Sequence, residues 1–188
     1  MKIISPIPPS VNSYLKYRVQ RGKNGKIFVQ TYKSEEARKY EAIFEDIVRE
    51  AIEKNKWIKP DKESYVFINA VFYFPRHHMD ANNHWKLPLD VFTFAGVYPD
   101  DSKALERAHR VFIDKDHPRV EFEITVAPYL GVFDDEKHLE EFKNFNCRFC
   151  TKKPEKCNMM KNALNNKIMR DEINLEKLSC LRKKIKKT

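Results

Sequence analysis

Tyr65-Val66-Phe67-Ile68-Asn69-Ala70-Val71-Phe72-Tyr73-Phe74 is the stretch on which the fold turns. It is an almost continuous apolar and aromatic run, and its length and β-branched content predict a central strand buried on both faces. Upstream the period changes. Ser34 can cap a helix, Glu35 and Glu36 sit in its first turn where the helix dipole favours negative charge, and Tyr40, Phe44, Ile47, Val48 and Ala51 recur on one face. A long amphipathic helix is expected there.

Further upstream, Tyr17-Arg18-Val19 and Lys26-Ile27-Phe28-Val29-Gln30 bracket Asn24-Gly25, a dipeptide suited to the positive backbone angles of a tight hairpin. Arg18, Arg21, Lys23 and Lys26 make that hairpin basic. The opening Pro6-Ile7-Pro8-Pro9 is extended, because prolines remove donors and bias the residues before them away from helix. Downstream, residues 83–95 read as a second helix stopped by Gly96, with Pro88 expected to kink or shift it. Residues 104–113 and 120–126 read as paired strands, the second alternating Val120, Phe122, Ile124 and Val126 with Glu121, Glu123 and Thr125. The mixture predicts an α+β domain over residues 1–130.

Beyond Gly131 the strand pattern vanishes. Residues 131–188 read as a basic, cysteine-containing, mainly helical extension: Asp134-Asp135-Glu136 leads to Leu139, Phe142 and Phe145, and a last helix runs through Ala163, Leu164, Ile168, Leu175 and Leu178 to a frayed Lys-rich end.

Net charge is +9 over 188 residues, and it is unevenly placed. Residues 1–130 carry 21 Lys+Arg against 18 Asp+Glu, and residues 131–188 carry 15 against 9. Excess positive charge favours polyanions through counterion release, so nucleic acid is the first partner to consider and an anionic membrane surface the second. No run approaches the roughly 18 to 20 apolar residues that span a bilayer. The N-terminus lacks a signal peptide's apolar stretch, and a cytoplasmic location is the expectation.

The densest chemistry is Arg76-His77-His78-Met79-Asp80-Ala81-Asn82-Asn83-His84-Trp85-Lys86, then Asp90, then Pro99-Asp100-Asp101. Chain reversal after Gly96 would bring the two ends together. Phosphodiester hydrolysis at neutral pH needs positive charge on the phosphoryl oxygens and an activated water, and Mg²⁺ held by a few carboxylates supplies both. Lys86 would neutralise or position the scissile phosphate. Taken by spacing alone, the same residues read first as ordinary helix caps and a turn. Asp90, four residues after Lys86, reads as an i,i+4 partner of the lysine or as a ligand. His77, His78 and His84 read first as surface loop residues, and Trp85 as core.

In combination the motifs resemble those of RusA-type Holliday junction resolvases. Pro8-Pro9-Ser10-Val11-Asn12-Ser13-Tyr14, Asp80-Ala81-Asn82-Asn83-His84-Trp85-Lys86, Asp90 and Gly96-Val97-Tyr98-Pro99-Asp100-Asp101 occur in the family's order, and the likeness covers about residues 3–127. The resemblance implies a mixed β-sheet flanked by helices and a homodimer that nicks branched DNA, four-way junctions above all, with Mg²⁺. Carried over by position, it implies metal-binding catalytic roles for Asp80, Asn82 and Asp101 and a catalytic role for Lys86. DNA contact is expected from Arg18, Arg21, Lys23, Arg76 and Lys86. The family's second Asp is Asn82 here. An amide oxygen still coordinates a hard cation but brings no charge, with Asp90 or Asp100 to compensate.

Cys147-Arg148-Phe149-Cys150, Cys157 and Cys180 supply four thiols in the extension. In a reducing compartment such a cluster holds metal more often than it forms disulfides. Tetrahedral Zn²⁺ is the first expectation, with His138 as a substitute ligand, and an iron–sulfur cluster takes the same four thiolates. Three readings follow: a Mg²⁺-dependent junction endonuclease, a branched-DNA-binding protein whose site is weakened at Asn82, and a zinc interaction module whose acidic loop is a plain turn.

Overall fold

A computed structural model of the chain describes residues 1–22, 24–168 and 172–185. Lys23 and the terminal Lys186-Lys187 therefore lie outside the described residues. The chain divides into two compact units, Met1–Lys62 with Val66–Val126 and Glu63–Tyr65 with Ala127–Thr188, slightly ahead of the 130/131 boundary drawn from sequence.

In chain order the first unit contains β1 (Lys2–Ser5), the single turn α1 (Val11–Tyr14), β2 (Leu15–Arg21), β3 (Ile27–Lys33), α2 (Glu35–Asn55), β4 (Val66–Phe74), α3 (Lys86–Ala95), β5 (Ala104–Ile113) and β6 (Arg119–Val126). Four strands form one mixed sheet in the order β1-β6-β4-β5. β4 is parallel to β5 and antiparallel to β6, and β1 is antiparallel to β6. The unit is α+β, as expected.

Two expectations about this sheet need correction. β5 and β6 do not pair, because β4 lies between them. The chain leaving β5 is tied to the end of β4 by the Asp114 N–H on Phe74 O at 2.8 Å. The Asp114 carboxylate then accepts from the N–H groups of Asp116 and His117 and from Arg119 at 2.9 Å, which builds a wide connection in place of a tight hairpin. Second, β4 is buried on one face only. Val66, Ile68, Ala70, Phe72 and Phe74 are fully buried, while Phe67, Asn69, Val71 and Tyr73 between them are half-buried. The apolar character of the second face is met partly by neighbours, as where Tyr73 stacks on Phe112 with ring centres 5.3 Å apart.

The buried face packs under α2 and α3 around Phe122, whose ring centre lies 5.2 Å from Phe92, 5.9 Å from Phe44 and 6.0 Å from Trp85. Ser34 caps α2 by accepting from the Ala37 N–H at 3.2 Å, and Ala37, Tyr40, Phe44 and Val48 form the buried stripe. α3 begins at Lys86 rather than at residue 83, because Ala81–His84 form a separate 3₁₀ turn. Pro88 thereby falls in the first turn of α3, where its missing N–H has no helical acceptor and no kink is needed. Gly96 at φ 85° ends α3, its N–H on Thr93 O and the Val97 N–H on Phe92 O. β2 and β3 form the expected hairpin, and most of its residues are exposed.

The second unit contains α4 (Glu136–Asn146), α5 (Asn158–Leu164) and a minimal hairpin of β7 (Ile173–Asn174) and β8 (Ser179–Cys180). Its core is small: Phe133, Leu139, Phe142, Met159, Met160, Ala163 and Ile173. The expected last helix stops at Leu164, followed by Asn165-Asn166 with Asn166 at φ 55°, a conformation asparagine tolerates. Leu175 and Leu178 belong instead to the turn between β7 and β8. At Gly131, φ 62°, a Cβ would stand 2.1 Å from Ala163 O, so only glycine fits this close approach. Among the described residues, no helix is long and apolar enough to cross a membrane.

Phe122→Ala is expected to destabilise the first unit by about 3–5 kcal/mol, because the ring leaves a cavity that three aromatic neighbours cannot close. Urea unfolding of the two proteins measures the difference.

Candidate active site

The crossover from β4 to β5 carries the acidic box. β4 ends at Phe74, so Asp80 does not follow the strand directly but ends a loop whose His78 adopts φ 66°. Asp80 caps the 3₁₀ turn: Oδ1 accepts from the Asn82 N–H at 2.9 Å and Oδ2 from Asn83 Nδ2 at 3.4 Å. The turn packs against α3 and β5. Arg76, His77, His78, Asp80 and Asn82 are all exposed.

His84 departs from the surface role expected of it. It is 5% exposed, packs on Phe74, and its Nδ1–H donates to Pro8 O at 2.6 Å. That bond ties the Pro-Pro-Ser segment to the box from 76 residues away. The same segment continues through Ser10, which caps α1, to Tyr14, whose carbonyl accepts from the Ser34 N–H at 2.8 Å at the start of α2.

Lys86 opens α3, where one turn of helix was expected before it. Its ammonium donates to Asp90 Oδ1 at 2.8 Å and to Asp101 Oδ2 at 2.9 Å. The second contact joins the two ends of the box across 15 residues. Hydrogen bonds from Lys86 to Asp90 and then Asp101 push its pKa well above the ordinary lysine value. Lys86 is therefore a fixed cation at neutral pH and not a proton acceptor. Asp90 holds a second lysine: Oδ2 accepts from Lys33 at 3.3 Å, and Lys33 also pairs with Glu41. Burial opposes the charge on Lys33, but its bonds to Glu41 and Asp90 outweigh that and raise its pKa. Each oxygen of Asp90 thus faces an ammonium, which suits a positioning residue better than a metal ligand.

Asp100 turns to its own backbone: Oδ1 accepts from the Ser102 N–H at 2.9 Å, and hydrogen bonding to Ser102 holds its pKa below the usual carboxylate range. Asp101, 45% exposed at its side chain, is the member of the pair that reaches Lys86. Asp80, Asn82 and Asp101 offer the hard oxygen donors that Mg²⁺ takes, and their exposure leaves room for the waters it retains. Among the described residues, no group of three or more His, Cys, Asp or Glu is arranged to hold a metal ion, and the third donor of this set is an amide.

The family described as Endodeoxyribonuclease RusA matches residues 6–125, which contain the whole box, the Pro8–Tyr14 motif, β4, β5 and all of β6 but its last residue. The chain belongs to the RusA endodeoxyribonuclease family. RusA enzymes act on branched DNA junctions and depend on divalent metal. No curated protein matches the chain significantly.

Within this RusA unit the basic hairpin presents Arg18, whose Nη2 donates across the strands to Gln30 at 3.1 Å, and Arg21, both exposed. Lys33, Glu41 and the structural role of His84 escaped the sequence reading. Lys33 lies 57 residues from Asp90 and carries no local signal for that contact.

Burial lowers the pKa of His84 below its ordinary value of about 6.5, against the bond to Pro8. A depressed histidine favours the neutral ring in the fold, so its contribution is complete above that value and is lost as pH falls through it. His84→Gln keeps a donor toward Pro8 without titrating. On going from about pH 7.5 to about pH 5, wild type is expected to lose more stability than His84→Gln in parallel urea unfolding curves. Equal losses would remove His84 as the cause.

Proposed function

We propose that this RusA-family chain is a Mg²⁺-dependent structure-specific endonuclease that resolves four-way DNA junctions in recombination and repair, acting as a homodimer. The observation that carries the reading is the Lys86–Asp101 contact at 2.9 Å, which draws the two halves of the family's acidic box into one exposed site. Asp80, Asn82 and Asp101 would hold the metal. Bound there, the metal would place positive charge on the phosphoryl oxygens and supply an activated water.

The remaining work falls to the chain's own groups. Lys86, held charged by two carboxylates, would position and neutralise the scissile phosphate. Asp90, braced by Lys33, would keep the lysine aimed. Arg18, Arg21, Lys23 and Arg76 contact the phosphate backbone and make binding salt-dependent. A two-fold dimer matches the paired scissile phosphates of a junction.

Cleavage of a synthetic four-way junction with Mg²⁺ or Mn²⁺, beside linear duplex, tests the proposal. Wild type is expected to nick the junction selectively. Asp101→Asn abolishes cleavage while binding persists, and Lys86→Ala lowers the rate roughly a hundredfold or more. Restoring charge with Asn82→Asp raises Mg²⁺-dependent cleavage, because a carboxylate binds the cation more strongly than an amide. Salt-sensitive junction binding with no cleavage in any divalent metal would instead make the chain a branched-DNA-binding protein. An Asn82→Asp variant no faster than wild type would move Asn82 away from the metal.

A further inference from the structure

The second unit brings its four cysteines to one place by four different routes. Asn146, the last residue of α4, is buried, and its Nδ2 donates to Phe142 O and Leu178 O while its Oδ1 accepts from the Cys180 N–H at 3.0 Å. Cys147, next in sequence, is thereby set beside the β7–β8 hairpin that carries Cys180. The Cys150 N–H returns to Cys147 O at 3.1 Å, and Cys150 bridges the terminal segment at Ile185. Cys157 stands at the start of α5, its N–H on Pro154 O. All four line a single cavity of about 60 Å³ together with Asn146, Met159, Lys152, Arg182, Lys183 and Lys184.

The size of that space decides what it can hold. A tetrahedral zinc with bonds of about 2.3 Å needs its thiolates only about 3.8 Å from one another. Among the described residues no group of three or more His, Cys, Asp or Glu is arranged to hold a single metal ion, so zinc, the first expectation from sequence, does not fit the thiols as they stand. His138, its substitute ligand, is turned to Asp134 and Phe133 and is not part of the cavity lining. One water occupies about 10–15 Å³ by the same measure, so the thiols surround several times the space of a single small ligand.

A further feature suits sulfur ligands that bear charge. Lys152, Arg182, Lys183 and Lys184 set positive charge against the four thiolates.

We propose that Cys147, Cys150, Cys157 and Cys180 bind an iron–sulfur cluster, one thiolate to each iron of a [4Fe–4S] cubane. The proposal is independent of the nuclease reading, and its test reads no cleavage. The full chain is purified anaerobically, reconstituted with equal amounts of ferrous and ferric iron and with sulfide, desalted, and assayed for iron, zinc and acid-labile sulfide. Iron and sulfide are expected in equal amounts, about four of each per chain, with broad visible absorption that bleaches under dithionite. Cys157→Ser and Cys180→Ser are expected to lose most of the iron and that absorption. One zinc per chain without sulfide, or no metal in wild-type protein that circular dichroism shows to be folded, would overturn the proposal. So would iron retained in full by both variants. Because wild-type metal content is itself decisive, a variant that fails to fold does not shelter the idea.

Discussion

Parallel pairing of β4 with β5 cannot be closed by a turn; it requires a connection that leaves one end of the sheet and returns to the other. Residues 75–103 make that connection, and it has to cross the sheet on the face that α2 and α3 bury. Everything that makes the first unit a candidate enzyme lies on this crossover: Asp80 at the 3₁₀ turn, Lys86 at the start of α3, Asp90 one turn further, and Asp101 before β5. The sheet supplies a rigid floor, and Phe122, Phe92, Phe44 and Trp85 lock the crossover onto it. Asp80 and Asp101 are exposed because they sit on the outward side of a layer whose inward side is buried, and Asp90 is half-buried between its two lysines.

The charges on this layer add little to stability. Exposed ion pairs are worth about 0–1 kcal/mol each, and the Lys86 side chain is about half exposed. Their value is geometric. Lys33, Asp90, Lys86 and Asp101 form a chain of alternating sign in which each interior member touches two partners. Such a chain restricts the rotamers of Lys86 more than a single pair does, and it leaves one contact, to Asp101, that can be exchanged without freeing the lysine. A cation taken up by Asp101 would compete with Lys86 for that carboxylate while Asp90 keeps the ammonium in place.

Much of this was legible in the chain. The apolar run of β4, the Ser34 cap and acidic first turn of α2, the Gly96 stop and the Asn24-Gly25 hairpin are local signals, and each appears where its chemistry places it. Most of the failures share one cause, which is distance along the chain. β5 and β6 have strand patterns, but whether they pair depends on where β4 sits. Half-burial of alternate β4 residues depends on what covers the second face. The contacts of Lys33 to Asp90 and of His84 to Pro8 span 57 and 76 residues and leave no periodic trace. In the second unit, strands of two residues are too short to show a period at all.

The second unit also raises a question of sufficiency. Its buried apolar cluster is small, and units of this size rarely hold together on such a core without disulfides, metal or oligomerisation. A hairpin of two-residue strands is not stable alone. The four cysteines are free and half-buried, so disulfides do not supply the missing constraint. They lie where the unit is weakest: at the end of α4, in the turn after it, at the start of α5 and in the terminal hairpin. A group bound by all four would cross-link those segments. The cavity between them is then the unit's structural centre rather than a packing fault.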